Sequence, residues 1–265
     1  MGEAKVEPFV IDLLPNTKPV FRRQYRYSPK ELKFIESAVA DMLAQGVIEE
    51  ARSPWSAPII LAKKEGGKAR RVCNDFRGMN EVTVGDNFPL PNVDDCLNIL
   101  SGGMFFTTLD CHSGYWQVPL SALTKPMTAF QAGNGFYQYK VLPFGLKNAP
   151  SAFQRMITGV LAGLLWVDVF VYVDDIVIAG RTLERHLEVL GQVFNRLQNA
   201  GLILKPKKCH FMKSKVSVLG FVAGRGGIEP DPAKIEAVAN FPVPMNLKRL
   251  RGFLGLCNYY RRFIN

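Results

Sequence analysis

The stretch Phe170-Val171-Tyr172-Val173-Asp174-Asp175-Ile176-Val177-Ile178 places two adjacent carboxylates in a run that is otherwise apolar on both faces. Continuous apolar runs are typical of strands that are covered on both sides of a sheet. We therefore predict two buried strands within 167–179, with Asp174 and Asp175 at the turn between them. Ionised carboxylates are unfavourable in such a place unless they are paired or bind a metal. Adjacent aspartates are also common in polar hairpin turns, so this stretch alone leaves both interpretations open.

A third acid favours the metal interpretation. Asp110 ends a predicted strand, Phe105–Asp110, and we expect it to lie beside the 167–179 hairpin in one sheet. Three carboxylates with few cations around them form an oxygen-rich site of the kind that Mg²⁺ prefers. Two such ions ~3.5–4 Å apart are the arrangement used for in-line phosphoryl transfer.

The charge of the chain is unevenly distributed. The 265 residues carry 33 Lys and Arg against 23 Asp and Glu, a formal net charge of +10. The net charge is +5 over 22–77, −3 over 78–204 and +9 over 205–265. A surplus of this size indicates a polyanionic partner, either nucleic acid or an acidic membrane surface. Basic flanks around an acidic middle are expected where cations hold phosphates and carboxylates hold metal.

The remaining composition narrows the class of protein. Apolar residues make up 48 % of the chain, which excludes intrinsic disorder. The five cysteines are scattered and contain no Cys-x-x-Cys pair, so a reducing compartment is expected rather than a disulfide framework or a zinc site. No apolar run approaches the ~18–20 residues that span a bilayer, and we expect an intracellular protein without a membrane partner.

Local patterns predict an α+β fold. A capping box at Ser28-Pro29-Lys30-Glu31 begins a helix that ends at Gly46, and Thr182–Ala200 has the 3.6-residue period of an amphipathic helix. Asn134-Gly135 is a strong hairpin signal. Further helices are predicted for 92–100, from Pro150 to about 165, and after 231 and 246, and further strands for 59–62, 71–73, 128–130, 136–141, 202–204 and 216–222. Hairpins that alternate irregularly with helices favour α+β over a doubly wound parallel sheet.

A set of ordered motifs extends from about Val20 to the C-terminus. They are Gly46-Val47-Ile48, Ser53-Pro54-Trp55, Arg71 through Asn80, Phe88-Pro89-Leu90-Pro91, Leu109-Asp110 to Tyr115, Leu142-Pro143-Phe144-Gly145-Leu146, Asn148-Ala149-Pro150, Phe153-Gln154-Arg155, Tyr172-Val173-Asp174-Asp175, Leu219-Gly220, Phe253-Leu254-Gly255-Leu256 and Asn258 to Phe263. In these motifs the chain resembles the reverse transcriptases of gypsy-type (Metaviridae) long-terminal-repeat retrotransposons and, more distantly, those of retroviruses.

The resemblance implies a right-hand polymerase with fingers, palm and thumb, and an antiparallel palm sheet packed on helices. The implied boundaries are an extended lead-in over 1–21, fingers over 22–88 and 123–148, palm over 89–122 and 149–222 with the primer-grip hairpin, and an incomplete thumb over 223–265. The family continues into a connection domain and a ribonuclease H domain, and neither is expected in this chain.

The resemblance also implies the catalytic residues. Asp110, Asp174 and Asp175 match the family's catalytic carboxylates, which bind two Mg²⁺ ions, or Mn²⁺ in vitro. Tyr115 matches the aromatic steric gate that excludes a 2′-hydroxyl. An isolated tyrosine at this position would be as compatible with a place in the core, and the motif around it favours the gate.

Other implied contacts concern the nucleotide and the nucleic acid. Arg71 and one of Lys63 or Lys64 match the cations that bind the incoming triphosphate, and Phe144 and Gly145 match neighbours of the nucleotide. The implied nucleic-acid contacts are Arg77, Asn80, Pro150, Leu219, Gly220, Lys205, Lys207, Lys208, Lys248, Arg249 and Arg251. For each lysine taken singly, a solvated surface charge is an equally good interpretation.

The predicted function is therefore RNA-directed DNA polymerase activity, with a primed RNA or DNA template and dNTPs as partners. A catalytically silent nucleic-acid-binding remnant of such a polymerase is the alternative. The resemblance implies a cytoplasmic retroelement particle with access to the nucleus, and it is compatible with either a monomer or a homodimer.

Overall fold

The structure of the chain is a computed structural model that describes residues 4–63 and 70–263. Its helices are α1 (Pro29–Ala44), α2 (Arg77–Glu81), α3 (Val93–Leu100), α4 (Ala149–Val160), α5 (Leu183–Asn199), α6 (Pro232–Ala239) and α7 (Leu247–Tyr259). Its strands are β1 (Ile48–Glu50), β2 (Ile59–Lys63), β3 (Arg70–Asn74), β4 (Phe105–Asp110), β5 (Phe130–Ala132), β6 (Gly135–Tyr139), β7 (Val169–Tyr172), β8 (Asp175–Gly180), β9 (His210–Lys213), β10 (Lys215–Val218), β11 (Phe221–Gly224) and β12 (Gly227–Pro230).

A four-stranded antiparallel sheet in the order β7-β8-β4-β9 lies at the centre. Both of its faces are buried, because successive side chains of a strand point to opposite sides. Val169, Val171 and Ile176 belong to one core cluster, with α4 and α5. Phe170 and Val177 belong to a second cluster on the other face, with α3 and the sheet β10-β11-β12. The prediction that both faces of the 167–179 stretch are buried is therefore confirmed.

Two smaller sheets are β2-β3, which precedes β4 in the chain, and β1-β6-β5, whose β5 and β6 lie between β4 and β7. The described segment before α1 begins at Ala4 and contacts loops outside these sheets. The backbone N–H of Ala4 donates to Gln117 O, that of Phe9 to Pro119 O, and that of Leu14 to Val82 O. The segment that precedes α1 is thus hydrogen-bonded to several distant parts of the chain.

Local signals with a clear mechanism are confirmed. Ser28 and Glu31 form the predicted capping box of α1. Asn246 caps α7 as predicted. The helix predicted over 182–200 forms as α5, with Thr182 just outside it as the cap that accepts from Arg185 N. Each side-chain oxygen satisfies an N–H group that has no partner within its helix.

Several predicted boundaries are wrong. The hairpin β5–β6 turns at Gly133-Asn134 instead of Asn134-Gly135, because Gly133 supplies the positive φ (54°) at the first turn position. Helix α4 ends at Val160 rather than near 165. Gly163, three residues after its end, adopts a left-handed φ of 83°. The strand predicted for 202–204 reduces to a single bridge between Leu204 and Cys111, and the predicted strand 216–222 is the two strands β10 and β11.

Among the helices of the described residues, none combines the length and the apolar character needed to cross a membrane.

Candidate active site

The three predicted carboxylates meet at one end of the central sheet. Asp110 is the last residue of β4 and is paired in register with Asp175, the first residue of β8. Tyr172 closes the β7–β8 hairpin opposite Asp175, so the turn itself consists of Val173 and Asp174. The turn was predicted to contain both aspartates, but only Asp174 lies in it. Both carboxylates of the hairpin nevertheless stand beside Asp110.

This turn (Tyr172–Asp175), which we call the catalytic turn after the role that the resemblance implies, has a strained backbone. Val173 adopts φ 52°, an outlier for a β-branched residue. The buried amide of Gln154 on α4 holds it: the Val173 N–H donates to Gln154 Oε1 at 2.7 Å, and Gln154 Nε2 donates to Val171 O at 3.2 Å. Gln154 is 2 % exposed. A strained residue persists when its surroundings determine its position, as this amide does.

The carboxylate of Asp174 lies in a poor environment for a charge. Its Oδ1 atom is buried without a hydrogen-bond partner. A Cβ atom at Gly114 would lie 2.5 Å from that oxygen, so glycine is needed for the close approach. Burial, together with the charges of Asp110 and Asp175, raises the pKa of Asp174 to about 6. Burial and Asp110 also raise the pKa of Asp175.

Lys208 is the cation beside this cluster. Its Nζ donates to Asp110 Oδ2 at 3.0 Å, and its side chain is 59 % exposed. The pairing with Asp110 raises the pKa of the Lys208 ammonium. Lys208 was predicted to follow duplex phosphates, whereas in this structure it is paired with a predicted metal ligand.

The carboxylates have the chemistry of a divalent-cation site. Within the described residues, no three Cys, His, Asp or Glu side chains are already gathered into a metal-binding group. The unpartnered oxygen of Asp174 and the mutual repulsion of Asp110, Asp174 and Asp175 are nevertheless what a bound cation would relieve. Oxygen donors of this type suit Mg²⁺. The residues present therefore fit the predicted metal.

Tyr115 packs next to the carboxylates. Its ring lies 5.1 Å from that of Phe144 and 5.6 Å from that of Phe153. Burial and the charge of Asp174 raise the pKa of the Tyr115 hydroxyl to about 12. Phe144 is 37 % exposed, and Gly145 beside it adopts φ 97°. An aromatic floor therefore lies next to the carboxylates, where a nucleotide sugar is expected.

The cations predicted for the triphosphate are only partly described. Lys64 lies outside the described residues, and Lys63 is described as the last residue of β2, paired with Arg70. Arg71 is exposed on β3, where its charge opposes the burial that raises the pKa of Cys73. The structure places Arg71 on the β2–β3 ribbon.

Two predicted template contacts have partners within the protein. Arg77 makes two hydrogen bonds to the buried carboxylate of Asp75, at 2.8 and 2.6 Å, which hold the pKa of Asp75 far below its usual range. Asn80 Nδ2 donates to Gly145 O, and its Oδ1 accepts from Lys147 N. Asn80 thus supports the loop that carries Phe144. Pro150 is in the first turn of α4, as its fixed φ favours.

The other predicted nucleic-acid contacts lie on the second face of the sheet and beyond it. Leu219 and Gly220 form the turn between β10 and β11. Lys207 precedes β9 in an exposed position, and Lys205 there is half-buried. Exposed cations near the start of α7 are Lys248, Arg249 and Arg251.

Sequence reasoning missed the residues that support the site. Gln154 was noticed within a motif but was given no role, although a glutamine on the apolar face of α4 is a detectable signal. Gly114 and Gln117 were also missed. The Gln117 amide donates to the carbonyls of His112 and Ile203 and accepts from the Ile203 N–H, so it joins the segment after Asp110 to the segment before β9. Such partners depend on tertiary contacts and leave no local pattern.

The family model described as "Reverse transcriptase (RNA-dependent DNA polymerase)" matches residues 62–223. Over 253 residues the chain is 38 % identical to the retrovirus-related Pol polyprotein from transposon 297 of Drosophila melanogaster. It is 35 % identical over 254 residues to that from transposon gypsy of the same organism. Each alignment covers 94 % of this chain and 24 % of the relative. The chain therefore spans about a quarter of the length of these curated relatives.

Solved structures of the foamy viral protease-reverse transcriptase are similar over nearly the whole chain. One, in complex with double-stranded DNA, has a TM-score of 0.87 and 29 % identity, and the match covers 98 % of this chain and 45 % of that one. Another, in complex with an RNA/DNA hybrid, has a TM-score of 0.83 and 28 % identity, and covers 98 % and 35 %. The predicted α+β right-hand polymerase fold and the gypsy-type resemblance are confirmed.

Proposed function

Because the chain belongs to the reverse transcriptase (RNA-dependent DNA polymerase) family, we propose that it extends the 3′ end of a primer with deoxynucleotides on an RNA or DNA template. The observation that carries the proposal is the meeting of Asp110, Asp174 and Asp175 at one end of the central sheet, with a buried, unpartnered oxygen on Asp174. The relatives' complexes with double-stranded DNA and with an RNA/DNA hybrid support the same partners.

In this proposal Asp110, Asp174 and Asp175 hold two Mg²⁺ ions. When bound, the ions would activate the primer 3′-hydroxyl and neutralise the charge that develops on the leaving pyrophosphate. Gln154 keeps the catalytic turn in position before substrate arrives, which is the preorganisation that electrostatic catalysis needs. Lys208 must leave Asp110 or share it when the cation binds.

The remaining residues orient the substrates. The Tyr115 ring packs on Phe144 and Phe153, and in this position it would exclude a 2′-hydroxyl from the space below the sugar. The guanidinium of Arg71 on the β2–β3 ribbon suits bidentate contact with a triphosphate. The exposed cations of α7 would contact duplex phosphates, which positions the nucleic acid without reading its sequence.

Primer extension tests the proposal directly. Oligo(dT) annealed to poly(rA) should be extended with dTTP in Mg²⁺ or Mn²⁺ and should not be extended in EDTA or by Asp174→Asn. Template–primer binding, which depends on basic side chains, should survive in that variant and weaken steeply with salt. Binding without metal-dependent extension by the unaltered chain would instead favour the catalytically silent remnant.

A further inference from the structure

The turn between β10 and β11 has an unusual backbone. Leu219 and Gly220 both adopt positive φ, at 51° and 77°. A two-residue turn with both angles positive matches the twist of a hairpin, but its usual residues are Asn and Gly. Leucine carries a steric cost in this region. Something beyond the turn must therefore hold Leu219 in place.

The end of α7 supplies that support. Tyr259 Oη donates to Leu219 O at 2.6 Å, and Tyr260 Oη donates to Gly220 O at 3.3 Å. A Cβ atom at Gly220 would lie 2.7 Å from Tyr260 Oη, so the helix end and the turn are in direct contact. Two consecutive tyrosines thus hold the two consecutive carbonyls of the turn.

The tyrosine rings also join the turn to the core. Tyr259 stacks on Phe221 with centroids 5.4 Å apart, and Tyr260 lies 5.3 Å from the same ring. Phe221 is 1 % exposed and belongs to the core cluster under β4 and β7. The rings alone would keep α7 near the sheet, whereas the hydroxyls act on the turn itself.

We propose that Tyr259 is a positioning residue, which with Tyr260 locks the Leu219-Gly220 turn so that the turn can present its backbone to the primer 3′ terminus. The proposal rests on the proposed function and on the resemblance to reverse transcriptases, in which Leu219 and Gly220 match the primer-grip hairpin that positions the primer 3′ end. It links two contacts with the duplex, because α7 carries exposed cations at its start and the tyrosines at its end. Displacement of α7 on the duplex would be transmitted to the turn.

Tyr259→Phe is the decisive variant, because it removes the hydroxyl and keeps the ring on Phe221. The control is Tyr27→Phe, since Tyr27 Oη also donates to a backbone carbonyl at 2.6 Å, that of Ile59 in a different sheet, and shares this hydrogen with Gln24 Oε1 at 2.8 Å. Loss of one such bond corresponds to about a three- to ten-fold effect. Both variants should fold, and both should lose a similar amount of thermal stability.

The first measurement is hydrogen exchange in the protein without nucleic acid. Tyr259→Phe should accelerate exchange in the segment 217–224 and at the Asp231 amide, which donates to Gly220 O. Tyr27→Phe should leave these sites unchanged. Unchanged exchange in Tyr259→Phe would overturn the proposed lock, whether or not the chain is a polymerase.

The second measurement places 2-aminopurine at the primer 3′ terminus of a DNA duplex. Tyr259→Phe should change the fluorescence of the bound terminus and slow single-turnover extension about three- to ten-fold, with duplex affinity within two-fold of the unaltered chain. Accelerated exchange with an unchanged terminus and an unchanged rate would overturn the positioning role and leave a structural one. Failure of the unaltered chain to extend would count against the proposed function alone.

Discussion

The catalytic turn and the β10–β11 turn both hold a non-glycine residue at positive φ, but they do so in different surroundings. Each is a two-residue hairpin turn whose first residue, Val173 or Leu219, has a side chain poorly suited to positive φ. The catalytic turn is held by Gln154, a nearly inaccessible amide within the larger core cluster. The other turn is held by tyrosine hydroxyls at the end of α7, a helix without a buried residue.

In the proposed function the two turns have different roles, which would account for their different supports. Chemistry requires the aspartates to stay in place, and a buried amide that makes two hydrogen bonds allows little movement. A turn that follows a duplex must tolerate adjustment, and support from an exposed helix allows it because few buried contacts oppose its opening. We infer that the catalytic turn is the more rigid of the two.

The largest expected effect follows from removing a charge at the catalytic turn. Asp174→Asn should reduce extension by about 10³-fold or more, because the metal loses a ligand and several kcal/mol of charge stabilisation. The metal-free protein should instead become more stable by about 1–2 kcal/mol at pH 7.5, with solvent screening part of the repulsion. Because folding raises the pKa of Asp174, the protonated carboxyl stabilises the folded state fully below pH 3.8. This stabilisation is lost as pH rises through about 6.

Urea unfolding in EDTA measures this change. An Asp231→Asn control removes a carboxylate that caps α6 instead of one at the catalytic turn, and it should leave stability nearly unchanged because asparagine caps a helix about as well as aspartate. Equal or lower stability of Asp174→Asn would show that the carboxylate is not in the unfavourable environment described above.

A smaller effect is expected from the aromatic floor beside the catalytic turn. Tyr115→Val should lower the preference for dNTPs over rNTPs by about 10- to 100-fold, the range that a change in pocket size produces. Competition between dTTP and UTP on the same primer measures it. Tyr137→Val, which alters an aromatic of β6, is the control and should leave sugar selectivity unchanged. Unaltered selectivity in Tyr115→Val would remove the gate role.

The support of the catalytic turn can be tested next. Gln154→Leu should cost about 1–3 kcal/mol, because it leaves the Val173 N–H and the Val171 carbonyl without their partner. Extension should fall together with stability. Gln192→Leu, which removes an amide that contacts exposed Glu188, should stay within about 0.5 kcal/mol. If both variants were equally stable, the catalytic turn would not depend on Gln154.

A structural feature can be predicted from the sequence when the residues that cause it lie close together in the chain. The carboxylates were predictable because two acids in a doubly buried apolar run require an explanation. The caps Ser28 and Asn246 were predictable because both partners of each cap lie within four residues of one another. The strand β9 was missed since its residues are mostly exposed and it pairs only with the distant β4.

The supports of the two turns could not be predicted in the same way. Gln154 lies 19 residues from Val173, and Tyr259 lies 40 residues from Leu219. No spacing rule links residues that meet only after the sheet has formed. The positive φ of Leu219 was equally hidden, because a leucine gives no sign that its surroundings will force it into that region.

A fourth prediction concerns the β10–β11 turn. Gly220→Ala should cost about 1–2 kcal/mol, because alanine is strained at φ 77° and its Cβ would approach Tyr260 Oη. Gly226→Ala is the matched control, since a Cβ there meets nothing within 4 Å. Thermal unfolding of the two variants measures the difference. Equal melting temperatures would mean that the β10–β11 turn adapts more freely than its contacts imply.

The smallest effect is expected from protonation of a buried histidine that packs on β4 and β8 toward the end of the sheet away from the catalytic turn. His186 is fully buried on α5, where its Nε2 lies 2.7 Å from Thr107 Oγ1 and its Nδ1 has no partner. Burial lowers the pKa of His186. The neutral imidazole of His186 therefore makes its full contribution to the stability of the folded state above pH 6.5. This contribution declines as pH falls below 6.5 toward the pKa of His186 in the folded protein. The tyrosines of the β10–β11 turn have pKa values raised above 10 and do not titrate there.

Asp174 titrates in the same range with the opposite sign, so the measurement belongs in the Asp174→Asn background. In that background, the free energy of unfolding should fall by less than about 1 kcal/mol between pH 7.5 and pH 5.5. Adding His186→Gln should flatten that slope, since glutamine has no proton to gain. A slope that persists without His186 would assign the acid sensitivity elsewhere. Exchange at the β10–β11 turn, corrected for the intrinsic pH dependence of amides, should not change until the protein unfolds globally, because tyrosine hydroxyls support it across the whole range.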